Sequence, residues 1–276
     1  MRKIVLTLII VTVSISTLGS CSSDKDQKNT NRSNTKQSSK ENNASSQDSQ
    51  SQEKLIWQQS QDGWIATAKA PDCPKQPMLI SPVDLKLATS VLYPGQTRGQ
   101  YKPHGGFRFD NSDNYDISVK APIDGFVFRG SRYLVDGEIQ YTFDIFNNCG
   151  VMTRLGHLRE LTEKFQAIAE TFSEALTDSR TSNVNPPVNV KAGETIATAT
   201  GITAGKNTFV DWGVYDYRSQ NEASKSSEYQ NAHTMDKELS FNAVCWFDWL
   251  PTKDAKLVKS LPAGDGTAGK TSDYCK

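Results

Sequence analysis

The chain has 276 residues, and its 31 Lys plus Arg balance 31 Asp plus Glu, so the formal net charge is zero. This balance argues against a surface built for nucleic acid or for an anionic membrane, and the sequence contains no RNA-binding motif or phosphate-binding loop. The length allows one large domain or two small ones. The hydrophobic content of 36% is somewhat low, because the N-terminal part of the chain is poor in apolar residues.

The N-terminus has the pattern of an export signal. Arg2-Lys3 precede an apolar run, residues 4–18, that is too short to span a membrane as a mature helix. Leu18-Gly19-Ser20-Cys21 then resembles the lipobox of bacterial lipoproteins. The resemblance implies that residues 1–20 are a signal peptide that is removed and that Cys21 is lipidated. The alternative is an ordinary signal peptide followed by an incidental cysteine.

The segment after Cys21 predicts a tether. Residues 22–54 are polar, and Ala44 is their only apolar residue. Such a segment buries too little apolar surface to offset the entropy lost on ordering, so we expect residues 21–54 to be disordered. The folded domain is predicted to span residues 55–276, anchored through Cys21 to the outer face of the cytoplasmic membrane or to the periplasmic side of an outer membrane.

Four cysteines remain in this domain: Cys73, Cys149, Cys245 and Cys275. An even number in an exported chain predicts two disulfides, with three possible pairings that spacing does not distinguish. Cys275 lies one residue from the end. A disulfide there would hold the C-terminal tail against the body of the domain.

Short apolar runs bounded by Pro, Gly and Asn predict β-strands along most of the domain. Trp57 and Trp64 flank a polar turn and indicate a hairpin. Asp124-Gly125 predicts a tight turn between two strands, and residues 147–150 predict another. The predicted strands are residues 78–82, 86–93, 117–122, 126–128, 140–146, 151–155, 188–191, 195–197 and 209–217.

One segment has helical periodicity. Residues 159–178 carry a single apolar stripe and predict an amphipathic helix that covers the sheet. The stripe consists of Leu161, Phe165, Ile168, Phe172 and Leu176.

The rest of the domain adds a loop and an aromatic element. Residues 218–240 read as a polar loop in which His233 is exposed, and residues 241–276 as an aromatic closing element with a tail. The sequence therefore predicts a mainly β fold, a compact antiparallel barrel or sandwich with one inserted helix.

An ordered series of motifs resembles the lysostaphin or LytM-type zinc metallopeptidases of bacterial peptidoglycan. The series begins with His104-Gly105-Gly106 and continues with a V-x-A-P-x-D-G-x-V run at residues 119–127. Gly156-His157-Leu158, a V-K-A-G run at residues 190–197 and Thr200-Gly201 follow. The resemblance covers residues 78–217 and implies the LytM-type fold, the duplicated hybrid motif.

The resemblance also implies a metal site. In that family a zinc ion is held by the first-motif His, by an Asp four residues later, and by the second His of a His-x-His strand. His104 matches the first ligand, but Arg108 stands four residues on, so Asp110 is the candidate for the second. Asp211 stands at the third ligand position. The candidate ligands of a divalent metal, zinc by resemblance, are thus His104, Asp110 and Asp211.

The catalytic positions also depart from the family pattern. His157 matches one catalytic His, whereas Phe209 replaces the other. Asp113 and Asp116 compete with Asp110 for the ligand role, and Arg108 could instead pair with Asp211 in a site without metal. Loss of a donor that stabilises an oxyanion lowers the rate about 10²–10³-fold.

Two hypotheses of function follow. In the first, the protein is a metal-dependent peptidoglycan endopeptidase, with His157 acting on the water or the tetrahedral intermediate. In the second, a catalytically inactive relative binds peptidoglycan or its peptides, or regulates a partner hydrolase, through the same groove. Trp212, Tyr215 and Tyr217 could stack on a ligand, but core packing is the expected role of these aromatic residues.

Overall fold

Alternating apolar and polar residues along the strands build a fold with one large antiparallel sheet. The computed structural model describes residues 54–61, 63–110 and 115–276, which belong to one unit, Ser51–Lys276. The signal peptide at residues 1–20, Cys21 and nearly all of the tether lie outside the described residues. Of the described residues 35% are strand and 15% helix, so the prediction of a mainly β fold is confirmed.

Thirteen strands are present in the described part of the chain. In chain order they are β1 (Trp57–Ser60), β2 (Gly63–Ala66), β3 (Ser90–Leu92), β4 (Gln96–Arg98), β5 (Gln100–Lys102), β6 (Gly105–Arg108), β7 (Val119–Lys120), β8 (Gly125–Val135), β9 (Glu138–Phe146), β10 (Val151–Leu158), β11 (Ser182–Val190), β12 (Thr195–Ala197) and β13 (Phe209–Asp216). Seven of them form the main sheet in the order β11-β8-β9-β10-β13-β6-β3, and the pairs β1-β2, β4-β5 and β7-β12 form small sheets.

Helices are short and few. The α-helices are α1 (Glu163–Ala169), α2 (Ser227–Ala232), α3 (Lys237–Ser240) and α4 (Thr252–Ser260), and single 3₁₀ turns cover Ala223–Lys225 and Trp246–Trp249. The polar segment 218–240, which the sequence suggested is a loop, therefore contains helical turns. No helix among the described residues is both long enough and apolar enough to cross a membrane.

The two faces of the main sheet bury separate hydrophobic clusters, because neighbouring residues of a strand point to opposite sides. The larger cluster includes Phe143, Leu155 and Trp212, and the buried Trp246 of the closing element packs into it. The opposite face carries a smaller cluster formed by Phe128, Phe146, Met152, Tyr215 and Ala243, with Trp57 and Trp64 of the β1-β2 hairpin packed against it. Trp212 and Tyr215 are thus core residues, as expected.

The two disulfides are Cys73–Cys149 and Cys245–Cys275. The expectation of two disulfides is confirmed, and the structure selects one of the three pairings. Cys245 precedes the buried Trp246, so its disulfide holds the C-terminal tail to the core.

The predicted hairpin around Asp124-Gly125 was wrong. β7 pairs with β12, whereas β8 pairs with β9 and β11. A Cβ atom on Gly125 would lie 2.7 Å from the carbonyl oxygen of Phe146 in β9, so the chain passes close to another strand here. The long ladder between β8 and β9 prevails over the local turn signal.

The helix predicted for residues 159–178 is shorter, at Glu163–Ala169. It ends in a tight turn in which the Thr171 N–H and hydroxyl both donate to the carbonyl oxygen of Ile168. This turn brings Phe172 against Phe143, with ring centroids 5.6 Å apart. The apolar stripe is core packing as expected, except that Leu176 is 46% exposed.

The predicted strand at residues 78–82 was wrong, because no strand forms there. The strand predicted at residues 86–93 is shorter, at Ser90–Leu92. The β9-β10 hairpin was predicted correctly, and the Asn147 side chain closes its turn by accepting from the N–H groups of Cys149 and Val151.

Candidate functional site

Three of the predicted site residues lie together on the polar side of the main sheet. Asp211 lies in β13 directly opposite Gly156 of β10 and opposite Gly106 of β6. His157 follows Gly156, and His104 immediately precedes β6. Because both cross-strand neighbours of Asp211 are glycines, no side chain directly opposite covers its carboxylate.

The two glycines of the His-Gly-Gly motif are explained by the lack of space for a Cβ atom. Gly106 has φ of +154°, and a Cβ atom there would lie 2.1 Å from the carbonyl oxygen of Val210. A Cβ atom on Gly105 would lie 2.3 Å from the carbonyl oxygen of Leu92. The two glycines therefore let β6 pass close to its neighbours, and this close approach fixes the position of His104.

Two imidazole nitrogens converge on one carboxylate oxygen. His104 Nε2 lies 3.1 Å from Asp211 Oδ2, and His157 Nε2 lies 3.4 Å from the same oxygen. The three side chains are 19–20% exposed, so they lie at the base of an opening that solvent still reaches.

Gln140 holds the His157 ring. Gln140 Nε2 donates to the carbonyl oxygen of Gly201 over 2.8 Å, which turns its Oε1 toward His157 Nδ1 at 3.2 Å. Since Oε1 only accepts, Nδ1 carries a proton and Nε2 faces Asp211.

The His157 backbone is held as well. His157 has φ of +59°, a left-handed conformation that is uncommon for a residue other than glycine. The Thr200 hydroxyl and the Gly201 N–H both donate to the His157 carbonyl oxygen. The Thr200-Gly201 motif thus supports this residue, and strained backbone of this kind is enriched at functional sites.

His104 is held through its backbone, and its Nε2 faces the Asp211 carboxylate. Arg98 donates to the carbonyl oxygens of His104 and Tyr93, over 3.1 and 2.7 Å. His104 Nε2 is buried and has no partner with hydrogen-bond geometry among the described residues, although the Asp211 oxygen is close.

The environment of Asp211 favours its charged form. Burial by itself raises the pKa of the Asp211 carboxyl, but His104 and His157 outweigh burial and hold the pKa well below its usual range. Asp211 therefore carries a negative charge at neutral pH, available to a cation or a donor.

The structure does not bring Asp110 to this cluster. Its carboxylate accepts from Arg108 Nε and Nη2, over 2.8 and 2.5 Å, and from the hydroxyls of Thr89 and Ser90. The hydrogen bonds from Arg108 lower the pKa of the Asp110 carboxyl. The alternative in which Arg108 pairs with Asp211 is likewise not observed, because Arg108 pairs with Asp110.

Phe209 lies beside His157, with ring centroids 4.4 Å apart. It occupies the neighbourhood in which the resemblance places a second catalytic histidine, and it offers no proton donor or acceptor there.

The cluster opens into a cavity with a volume of about 180 Å³. Its polar lining includes residues from β8, β9 and β10, among them Ser131, Tyr133, Thr142 and Arg154. Gly156 also lines the cavity, and a Cβ atom there would meet its nearest neighbours at 3.4 and 3.5 Å.

Sequence reasoning missed Gln140, Tyr133 and Ser131. The available signal was alternation: Gln140 shares a strand face with Thr142 and Asp144, and this polar face opposes the apolar one. Gln140, Thr142 and Asp144 are all buried polar residues.

His233 was predicted to be exposed, and this prediction was wrong. It is 9% exposed and its ring lies 3.9 Å from the Tyr101 ring and 4.3 Å from the Tyr229 ring, measured between centroids. It is a packing residue, because the helical turns of residues 218–240 fold back over it.

The donor set of the cluster suits a divalent metal. Zinc accepts imidazole nitrogen and carboxylate oxygen at about 2.0–2.2 Å, so ligand atoms of one tetrahedral ion lie roughly 3.3 Å apart. The separations of 3.1 and 3.4 Å to Asp211 Oδ2 match this value. Within residues 54–61, 63–110 and 115–276, however, no group of three or more His, Cys, Asp or Glu side chains is already arranged to hold a metal ion. The residues fit a metal in chemistry, and binding would require the imidazoles to adjust.

No family model matches the chain, and no curated protein matches it.

Proposed function

We propose that this protein is a cell-envelope lipoprotein whose β domain, of the lysostaphin or LytM-like type, binds peptidoglycan peptides in the cavity above Asp211. The observation that carries the proposal is the convergence of His104 Nε2 and His157 Nε2 on Asp211 Oδ2. Three widely separated motifs predicted these residues, and all three face one solvent-reached cavity.

The cavity suits part of a peptide. Its volume of about 180 Å³ is below the ~300–1,000 Å³ of sites that enclose a drug-sized ligand. The cavity would therefore take a short segment of a longer ligand. Backbone amides and carbonyls of a peptide match a lining of hydroxyl, imidazole and carboxylate groups.

Two observations favour binding over hydrolysis. Phe209 contributes no acid or base beside His157, and Asp110 is engaged by Arg108. A catalytic zinc needs three protein ligands and an open position, and His157 would have to be the third. A ligand role for His157 leaves no imidazole free to move a proton.

Metal-dependent hydrolysis is the second candidate, and the donor separations of the cluster favour it. A bound divalent metal would supply Lewis acidity and a water of lowered pKa. His104 and Asp211 would hold it with His157, while Gln140 keeps the proton of His157 at Nδ1. Two protein imidazoles and one carboxylate leave an open position for water.

Anchoring belongs to the same proposal. Lipid at Cys21 and a polar tether would hold the domain on a membrane within reach of peptidoglycan, with several acyl chains giving stable attachment. Regulation of a partner hydrolase is compatible with the hypothesis that the domain binds peptidoglycan without cleaving it.

The test combines binding, metal content and turnover in the same preparations. Wild type, His104→Ala and Asp211→Asn are incubated with purified peptidoglycan, with and without a chelator. Asp248→Asn, which removes the charge from a surface ion pair with Lys259, is the matched control.

The binding version predicts that wild type and Asp248→Asn sediment with peptidoglycan whether or not chelator is present, and that both site variants do not. Release of soluble peptides that the chelator stops would establish the hydrolase version instead. Absence of both binding and turnover in the wild type would overturn the proposal.

A further inference from the structure

The cavity has a second polar region besides the Asp211 cluster, and this region consists of donors. Lys102, Ser131 and Arg154 all line the cavity. Asp211 is the only carboxylate among the lining residues, and its charge is already faced by two imidazoles. The rest of the lining therefore carries no negative charge to match its cations.

Ser131 points to a missing acceptor. It is 1% exposed, and its Oγ is buried with no hydrogen-bond partner among the described residues. Because an unpaired buried hydroxyl is unfavourable, buried hydroxyls are nearly always paired. Ser131 lines the cavity, and rotation about its Cα–Cβ bond would bring the hydroxyl to a ligand oxygen there.

Lys102 points to a missing negative charge. It ends β5 and is partly buried, and it forms no ion pair with any carboxylate of the described residues. The nearby guanidinium groups differ, because the charges of Arg129 and Arg154 are matched by Asp144 and Glu238. Lys102 is therefore the uncompensated cation of the cavity.

Arg154 supplies a further donor. Its Nε and Nη2 donate to the two oxygens of Asp144, each over 2.7 Å. This bidentate pair fixes the plane of the guanidinium. Its Nη1 makes no hydrogen bond within the described part of the chain and remains available where Arg154 lines the cavity.

We propose that this region of the cavity binds the free C-terminal carboxylate of a peptide. Lys102 provides the opposite charge, and Ser131 Oγ and Arg154 Nη1 donate to the two carboxylate oxygens. The small volume favours a chain end, because an internal segment would have to continue out of the cavity on both sides. The inference rests on the proposed function, that the cavity takes a peptide.

The probe is N-acetyl-dialanine, in both configurations, compared with its C-terminal amide by calorimetric titration of the full chain. A charge-assisted hydrogen bond contributes about 1.5–3 kcal/mol, which corresponds to roughly 10- to 100-fold in affinity. We expect the free acid to bind at least about tenfold more tightly than the amide.

Two variants locate the effect. Lys102→Gln and Ser131→Ala should weaken binding of the acid and leave binding of the amide unchanged. Lys120→Gln, which removes a charge from the exposed Lys120 of β7, is the matched control and should behave as wild type.

Equal affinity for acid and amide would overturn the carboxylate site and leave peptide binding intact. Equal binding of the free acid and of alanyl-glutamate with an amide-capped C-terminus would also overturn the carboxylate site. A side-chain carboxylate would then bind as well as the C-terminal one. If neither probe binds and Asp211→Asn retains peptidoglycan, the proposed function fails and this inference fails with it.

Discussion

Asp144 and Asp211 share one face of the main sheet, and each lies between two basic side chains. Asp144 of β9 lies opposite Arg154 of β10. Gly156, two residues further along β10, lies opposite Asp211. The Asp144 side chain is fully buried, and its oxygens accept from Arg129 and Arg154 over 2.5–2.7 Å.

Asp211 has a different environment. Its partners are imidazoles, it is 20% exposed, and the adjacent His104 Nε2 has no hydrogen-bond geometry with any partner in the described chain. Guanidinium groups stay charged at all accessible pH values and match a carboxylate in two hydrogen bonds, whereas imidazole can also act as a metal ligand or accept a proton. The completed network at Asp144 stabilises the sheet, and the incomplete one at Asp211 is available to a ligand.

The largest expected effect is on stability at Asp144. Asp144→Asn leaves Arg129 and Arg154 buried without their shared carboxylate, which should lower the free energy of unfolding by about 3–5 kcal/mol. Asp211→Asn should lower it by less than Asp144→Asn does, because the Asp211 carboxylate is partly exposed and lies 3.1 and 3.4 Å from its imidazole partners. Urea unfolding of both variants measures the difference, and similar losses would contradict the comparison.

A second pair of variants distinguishes a change that disturbs the backbone from a change that affects only the cavity. Gly106→Ala places a Cβ atom 2.1 Å from a backbone oxygen at positive φ, which should destabilise the protein by about 2–4 kcal/mol. Gly156→Ala meets ordinary contacts of 3.4 and 3.5 Å and should leave stability within about 1 kcal/mol of wild type. Its methyl group would nevertheless occupy the base of the cavity.

We therefore expect Gly156→Ala to weaken peptidoglycan binding about tenfold while thermal unfolding changes little. Binding by Gly156→Ala equal to wild type would place the ligand somewhere other than above Asp211.

The pH dependence of stability should report both carboxylates, because the folded protein lowers the pKa of each. For Asp144, burial raises the pKa, but Arg154 and Arg129 outweigh burial and lower it below its ordinary value. A carboxyl whose pKa is lowered on folding stabilises the folded state above its unfolded pKa, and that stabilisation is lost as the pH falls through the folded pKa.

The free energy of unfolding should therefore fall below about pH 4, with a slope of up to about 1.4 kcal/mol per pH unit for each such carboxyl. Both Asp144→Asn and Asp211→Asn should flatten this slope, because the folded protein lowers the pKa of each carboxyl. Urea titrations between pH 2 and pH 6 measure both slopes, and an unchanged slope in either variant would contradict the assignment.

The sequence predicted the residues of the Asp211 cluster better than the residues that hold them in place. The order of motifs that resembles the LytM type pointed to His104, His157 and Asp211, and the structure brings these three side chains together. Asp110 was two residues beyond the motif position, and the structure pairs it with Arg108 instead. Alternation in one strand places Gln140 on the polar face but does not reveal that this face lies beside His157.

Strand pairing between distant parts of the chain also limited what the sequence could predict about the fold. The Asn147–Gly150 turn was predictable because its capping hydrogen bonds are local. At Asp124-Gly125, however, the outcome depends on β9 and β11, which are distant in sequence. Ser131 became a candidate only once β8 was known to border the cavity.

We propose that peptidoglycan peptides bind at the Asp211 cluster and at no other part of the described chain. Equilibrium binding of solubilised peptidoglycan fragments to wild type and Asp211→Asn, with unfolding measured on the same samples, tests it most directly. We expect at least about tenfold weaker binding by Asp211→Asn while the variant remains folded. Unchanged binding in a folded Asp211→Asn protein would contradict it.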